Sequence, residues 1–170
     1  MSVASDSGLR VLLDKQEIHE VLMRYCRGVD RCDEELIRST YHSDGTDEHG
    51  PVFRGNGWDF AKQIVPWLRD HSLGSMHFMG NELIEVHDDA ANSEVYFVAY
   101  HRLQRDDGLY DLVFGGRYVD RFERREGVWK IAKRVCVNDW SRVEPVGEVW
   151  PEAAEFRQGL RSRDDIAFAR

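Results

Sequence analysis

The chain has 170 residues, 42% hydrophobic and 32% charged, with 14 Gly and only 4 Pro, a globular composition that excludes a disordered chain and suits one domain. Acidic residues outnumber basic ones by 31 to 23, for a formal net charge of −8, and every Lys/Arg cluster has interleaved acids, so nucleic acid is excluded as the default partner. No apolar run approaches the ~20 residues of a membrane span, and Cys26, Cys32 and Cys136 lack CxxC spacing, which suggests neither a disulfide framework nor a zinc site.

The opening MSVASDSG has neither the basic flank nor the apolar segment of a signal peptide, so a soluble, cytoplasmic protein is expected. The first third reads as helical. In Leu9–Asp30, Leu12, Ile18, Val21, Leu22 and Tyr25 recur at three- and four-residue spacing, the mark of an amphipathic helix. Asp33 is placed to cap a short second helix, Glu34–Tyr41. The polar, glycine-punctuated stretch His42–Gly57 has room for one strand pair. Asn56 is placed to cap a third helix running to about Asp70, which Pro66 should kink or shorten.

From Ser75 the pattern changes to strands. Ser75–His87, Ser93–Arg105, Leu109–Arg124 and Val128–Trp140 are rich in β-branched and aromatic residues, and DDAAN, RDDG and RREG stand at their junctions as turns. Such short connections predict an antiparallel meander, hence an α+β fold. Residues 1–145 are read as the domain. Residues 146–170 are read as an arm with a short helix near Pro151.

Strict alternation along the last strand puts Lys130, Ala132, Arg134, Cys136, Asn138 and Trp140 on one face. Trp129, Ile131, Lys133, Val135 and Val137 fall on the other. One face should cover the helices and line a cavity. The other needs a cover, and a homo-oligomer, dimer or trimer, would supply it.

Asp30 closes the first helix in Tyr25-Cys-Arg-Gly-Val-Asp30, and His77 opens the first long strand in Ser75-Met-His-Phe-Met-Gly-Asn81. Taken singly, these read as a helix-end carboxylate and a core histidine. His42-Ser-Asp-Gly-Thr-Asp-Glu-His49 crowds metal-capable side chains, among them His42, Asp47 and His49. Turn and strand polarity accounts for them equally well, and no metal or other cofactor is expected. Gly55-Asn-Gly57 lacks the strand–GxGxxG–helix context of a phosphate loop. Cys26 and Cys32 read as free thiols.

The element order and four motifs resemble the SnoaL-like branch of the nuclear-transport-factor-2-like fold over roughly Leu12 to Pro145. Gly28-Val-Asp30 resembles the segment bearing the catalytic Asp of hexachlorocyclohexane dehydrochlorinases. Met76-His-Phe-Met-Gly80 resembles the segment bearing the catalytic His of scytalone dehydratases. Tyr100-His-Arg-Leu103 is similar to the dehydratase strand with a second active-site His. The run from Phe122 to Arg134 is similar to a dehydrochlorinase strand pair ending in an arginine that helps to expel the leaving group. Two departures make the chain a hybrid. Tyr118 stands where the dehydratase has Asn, and Arg134 follows one relative while His101 follows the other.

The resemblance implies a cone-shaped barrel of a curved, mostly antiparallel sheet on N-terminal helices, with a deep pocket. It implies His77, Asp30 and Arg134 as catalytic residues. Tyr118, His101, Tyr25, Asn138 and Trp140 are the candidate substrate-binding residues. The expected activity is that of a cofactor-independent lyase of dehydratase or elimination type, acting on a small apolar or aromatic molecule without nucleic acid or membrane. The alternatives are a retro-aldol C–C lyase, for instance one releasing formaldehyde from an aryl-propanediol, an isomerase, or the non-catalytic small subunit of a ring-hydroxylating dioxygenase.

Overall fold

The computed structural model describes residues 3–169. Helix α1 spans Val3–Asp30 and α2 spans Glu34–Ser39. Strands β1 (Tyr41–Glu48) and β2 (Arg54–Asn56) precede helix α3 (Gly57–His71). Four long strands follow: β3 (Gly74–His87), β4 (Ala90–Arg105), β5 (Gly108–Arg125) and β6 (Val128–Pro145). They form one six-stranded sheet in the order β2-β1-β6-β5-β4-β3. The fold is α+β, with the N-terminal helices packed on a curved sheet that does not close into a barrel.

Helix α1 begins earlier than the periodicity of Leu9–Asp30 predicts, and α2 ends earlier than Tyr41. The Thr40 hydroxyl donates to the Ile37 carbonyl at 2.6 Å, ending the helix, and Tyr41 passes into β1 as a fully buried residue. Pro66 does not shorten α3. It lies on the exposed side of the helix, as does Lys62 one turn earlier, whose carbonyl loses its intrahelical donor to the proline. Both expected caps are present: Asp33 accepts from Leu36 N–H at 3.0 Å and Asn56 from Trp58 N–H at 2.8 Å.

The sheet is not wholly antiparallel, because β1 pairs with β6 in parallel. These two strands are far apart in sequence, so the rule for short connections does not govern them. The Glu126–Gly127 turn, with φ of 53° and 81°, supplies the two left-handed residues of a tight hairpin between β5 and β6.

Three β-bulges change which side chains face inward. Asn81 and Glu82 interrupt β3, Ala132 interrupts β6 opposite the Arg121–Phe122 step, and Asp139 interrupts it again opposite Gly115–Gly116. Each extra residue reverses the alternation beyond it. Trp129 and Ile131 therefore lie on the same face as Arg134, Cys136 and Asn138, and not opposite them as strict alternation predicts. Trp140 is turned to the outer face, packed over Gly115, where an added Cβ would lie 2.2 Å from its ring.

The core lies between α1, α3 and the inner sheet face, around Ile18, Leu22, Tyr25, Tyr41, Tyr118, Phe122 and Trp129. Buried Asp14 ties α1 to the sheet by accepting from Trp129 Nε1 at 3.0 Å and from Arg124 at 2.6 Å. Residues 146–169 turn back onto the helix ends. Arg161 donates to the carbonyls of Leu68 and Ser72, Arg163 pairs with Asp33 at 2.9 Å, and Arg27 donates to the Ala167 carbonyl at 2.9 Å. The short helix near Pro151 is a 3-10 turn, Pro151–Glu155. This arm leaves Phe78, Tyr96 and Trp140 exposed on the outer sheet face.

Candidate active site

The end of α1 is locked in place by its own backbone. Cys32 adopts φ of 51°, its N–H reaches the Val29 carbonyl, and Asp33 N–H reaches the Gly28 carbonyl at 2.8 Å. This is a Schellman closure with cysteine where glycine is usual. Gly28 lets α2 approach closely, since a Cβ there would lie 2.8 Å from Ile37 Cγ1. Asp30 is thereby aimed at the start of β3.

The Asp30 carboxylate accepts two hydrogen bonds from one residue. Oδ1 meets His77 Nδ1 at 2.7 Å, and Oδ2 accepts the His77 backbone N–H at 3.0 Å. A carboxylate only accepts, so Nδ1 carries the proton and Nε2 is the free nitrogen. The His77 side chain is 7% exposed and lines a cavity of about 310 Å³.

That cavity is walled mainly by Val29, Phe60, Ile64, Leu68, Phe97 and Phe114, and its exposed lining residues Val52, Trp67 and Asn138 mark the opening. Its volume is about twice the ~150 Å³ that holds one benzene molecule. Tyr118 stacks on Phe97 with centroids 4.1 Å apart, giving a flat aromatic wall. His101 stands edge-on to His77 at 5.6 Å. Burial, reinforced by His77, lowers its pKa to about 4, so His101 is a neutral imidazole at pH 7.

Arg134 does not line the cavity. It is fully buried, donates to Asp120 at 2.8 and 2.6 Å, and lies 4.1 Å from the ring centres of both Tyr25 and Tyr118. Burial is the largest single influence and works against its charge, but Asp120, through charge and hydrogen bonding, together with Tyr41 and Tyr25 holds its pKa well above the ordinary arginine value. Its charge is paired with Asp120 behind the rings of Tyr25 and Tyr118, which stand between it and the cavity. The direct contact with a leaving group that the resemblance implies is not what this position offers.

The expectation that Trp140 faces the cavity is corrected by the Asp139 bulge, which turns its indole to the outer surface. Tyr25, Tyr118, His101 and Asn138 do line the cavity. Burial raises the hydroxyls of Tyr25, Tyr41 and Tyr118 well above the ordinary tyrosine range, and they stay neutral. Burial likewise pushes the Cys136 thiol, also in the cavity wall, up to about 12, which keeps it protonated and unreactive.

Sequence reasoning passed over Asp120, Tyr41 and the pairing of Asp47 with His49. Asp47 is buried, accepts the Tyr41 hydroxyl at 2.5 Å and accepts His49 Nδ1 in a short hydrogen bond. His42 turns instead to the Glu123 carbonyl at 2.8 Å. Among the described residues, no three His, Cys, Asp or Glu side chains converge on a metal position. Asp120 is the cross-strand partner of Arg134. Charged residues of opposite sign at two inward positions of neighbouring strands are the signal that would have found it.

The SnoaL-like domain family matches residues 10–135. Among solved structures, a scytalone dehydratase-like protein of Novosphingobium aromaticivorans DSM 12444 superposes with a TM-score of 0.69 at 21% identity, covering 82% of this chain and 97% of the other. The hexachlorocyclohexane dehydrochlorinase LinA type 3 of Novosphingobium barchaimii LL02 gives 0.72 at 21% identity, covering 84% and 96%. At such identity these likenesses speak for the fold alone. A search of curated proteins finds no match. With three quarters of its length matched by that one family, over the helices and strands that build the cavity, the chain belongs to the SnoaL-like domain family.

Proposed function

We propose that the protein is a cofactor-independent lyase that removes a proton from carbon in a small, largely apolar or aromatic substrate and so drives elimination. The observation that carries this reading is the Asp30–His77 couple opening into an apolar cavity. His77 Nε2 takes the proton. Asp30 fixes the tautomer and stabilises the imidazolium that forms, and the negative end of the α1 dipole adds to that pull. A base so placed contributes ~10²–10⁴-fold in rate. Neutral His101, beside His77, does not compete as a cation.

The solved relatives lend support, since two are named for a dehydratase and a dehydrochlorinase. The subunits are proposed to associate as a dimer or trimer through the outer face around Phe78, Tyr96 and Trp140, which light scattering of wild type and Trp140→Glu would test. The direct test of the activity is exchange of carbon-bound hydrogen in D2O for a panel of aryl ketones, followed by NMR. Wild-type protein should catalyse exchange next to the carbonyl and His77→Ala should not. Equal exchange by both would refute His77 as the base.

A further inference from the structure

Three buried polar atoms beside the cavity have no partner among the described residues: His101 Nδ1, Ser75 Oγ and Arg161 Nε. The fold gathers them. Ser75 and His101 are cross-strand partners on β3 and β4, two residues along from the His77–Ala99 pair and on the same face. Arg161 comes in from the C-terminal arm and donates to the carbonyls of Leu68 and Ser72. The next residue, Leu73, bonds through its N–H to the Arg102 carbonyl at 2.7 Å, immediately beside His101.

His101 lines the cavity, whereas Ser75 and Arg161 do not. Its Nδ1 is buried on their side, so Nε2 is the nitrogen that the ring presents to the cavity. Burial, with His77 and Arg161 adding to it and Asp30 opposing, keeps the ring neutral at pH 7. A neutral imidazole has one N–H and one lone pair, and their placement decides what it offers a ligand.

The surroundings decide that placement. Arg161 has only N–H donors, and its bonds go to carbonyls, so no carboxylate cancels its charge. Asp30 is already bound to His77 through both oxygens. A cation and a hydroxyl on the buried side favour the lone pair on Nδ1, which puts the proton on Nε2. His77 is the reverse, with its proton on Nδ1 and a bare Nε2. The two rings stand edge-on, 5.6 Å apart, one presenting a base and the other a donor.

Resting on the lyase reading above, we infer that His101 is a second catalytic residue, a neutral donor whose Nε2–H holds the carbonyl oxygen of an aryl ketone or aldehyde substrate, and that Arg161 is the positioning residue that selects this tautomer. His77 Nε2 takes the proton on the carbon next to the carbonyl. The C–H electrons form a C=C bond, the C=O pair moves onto oxygen, and the His101 N–H holds the resulting enolate without giving up its proton. The enolate then expels a group from the neighbouring carbon or takes a proton back. A neutral donor suits this place, because it does not repel the imidazolium that His77 becomes.

Two measurements test the assignment. In the free protein with 15N-labelled histidine, long-range 1H–15N spectra at pH 7 should show His101 protonated on Nε2 and His77 on Nδ1. Arg161→Met should move His101 toward the Nδ1–H form, while the other histidine signals report that the variant is folded. In D2O, exchange of the benzylic hydrogens of phenylacetone should fall by ~10²–10³-fold in kcat for His101→Phe, with KM little changed. His101→Gln should recover part of that loss, since its amide still offers an N–H, and Arg161→Met should lose less than His101→Phe. A wild-type His101 protonated on Nδ1, or a Gln variant as slow as the Phe variant, would overturn the donor role. An unchanged tautomer in Arg161→Met would overturn the role of the arginine. Exchange as fast in His77→Ala as in wild type would overturn the lyase reading instead, and the spectra of the free protein decide the tautomers independently of it.

Discussion

Asp30 grips His77 at two points, the ring nitrogen Nδ1 and the backbone N–H, with the two oxygens of one carboxylate. The main-chain bond holds the carboxylate in place, so the ring cannot turn about χ1 without breaking its own bond to an acceptor that does not follow. Orientation of the proposed base is set by a helix end and a strand start together.

Asp30→Asn should test that grip. The amide can still accept from the backbone, but it no longer stabilises an imidazolium and permits the other tautomer. Loss is expected in the single-turnover rate with substrate affinity nearly intact. A variant that binds weakly yet reacts at the wild-type rate would contradict this assignment.

Arg134→Met should act on stability before chemistry. It strands the Asp120 carboxylate in the core, and breaking such a pair costs about 3–5 kcal/mol. Adding Asp120→Leu should recover most of that loss in urea denaturation. Turnover per folded molecule should fall less than for His77→Ala, because the guanidinium does not line the cavity.

His101 predicts a pH dependence of folding. Its pKa falls from an ordinary 6.5 to about 4 on folding, so between these values the unfolded chain binds the proton and the native one does not. Stability contributed by this group is present above pH 6.5 and lost as the pH falls toward 4. The loss at pH 5 relative to pH 8 is about 2 kcal/mol. His101→Gln should flatten that part of the curve in chemical denaturation across pH.

Turnover should survive exhaustive treatment with a chelator, because the proposed proton transfer is assigned to a side chain. Activity lost on chelation and restored by one divalent ion would turn attention to Asp47 and His49 as ligands, with His42 already committed to the Glu123 carbonyl.

Helix caps and strand order along the chain were legible in the sequence, because caps and periodicity act over a few residues, whereas Asp30 and His77 were joined only by the family resemblance. The β-bulges at Ala132 and Asp139 were not. An inserted residue has no distinctive side chain, yet it reverses every position beyond it, which is why Trp129 and Trp140 were assigned to the wrong faces. His49 hid for another reason. In a run of eight residues with five polar or charged companions, nothing local separates the histidine that stacks in a cavity from the one that bonds a strand carbonyl.

Those bulges also bear on how such a site can change over time. On β6, Ala132 lies between a core half, with Trp129 and Ile131, and a site half, with Arg134, Cys136 and Asn138. Substitutions can rewrite the second half while the first keeps the fold. Deleting Ala132 removes that independence: either the tryptophan or the arginine must swing to the outside. A lineage built on this strand can explore new substrates by exchange of side chains, while loss of a single codon there is closed to it.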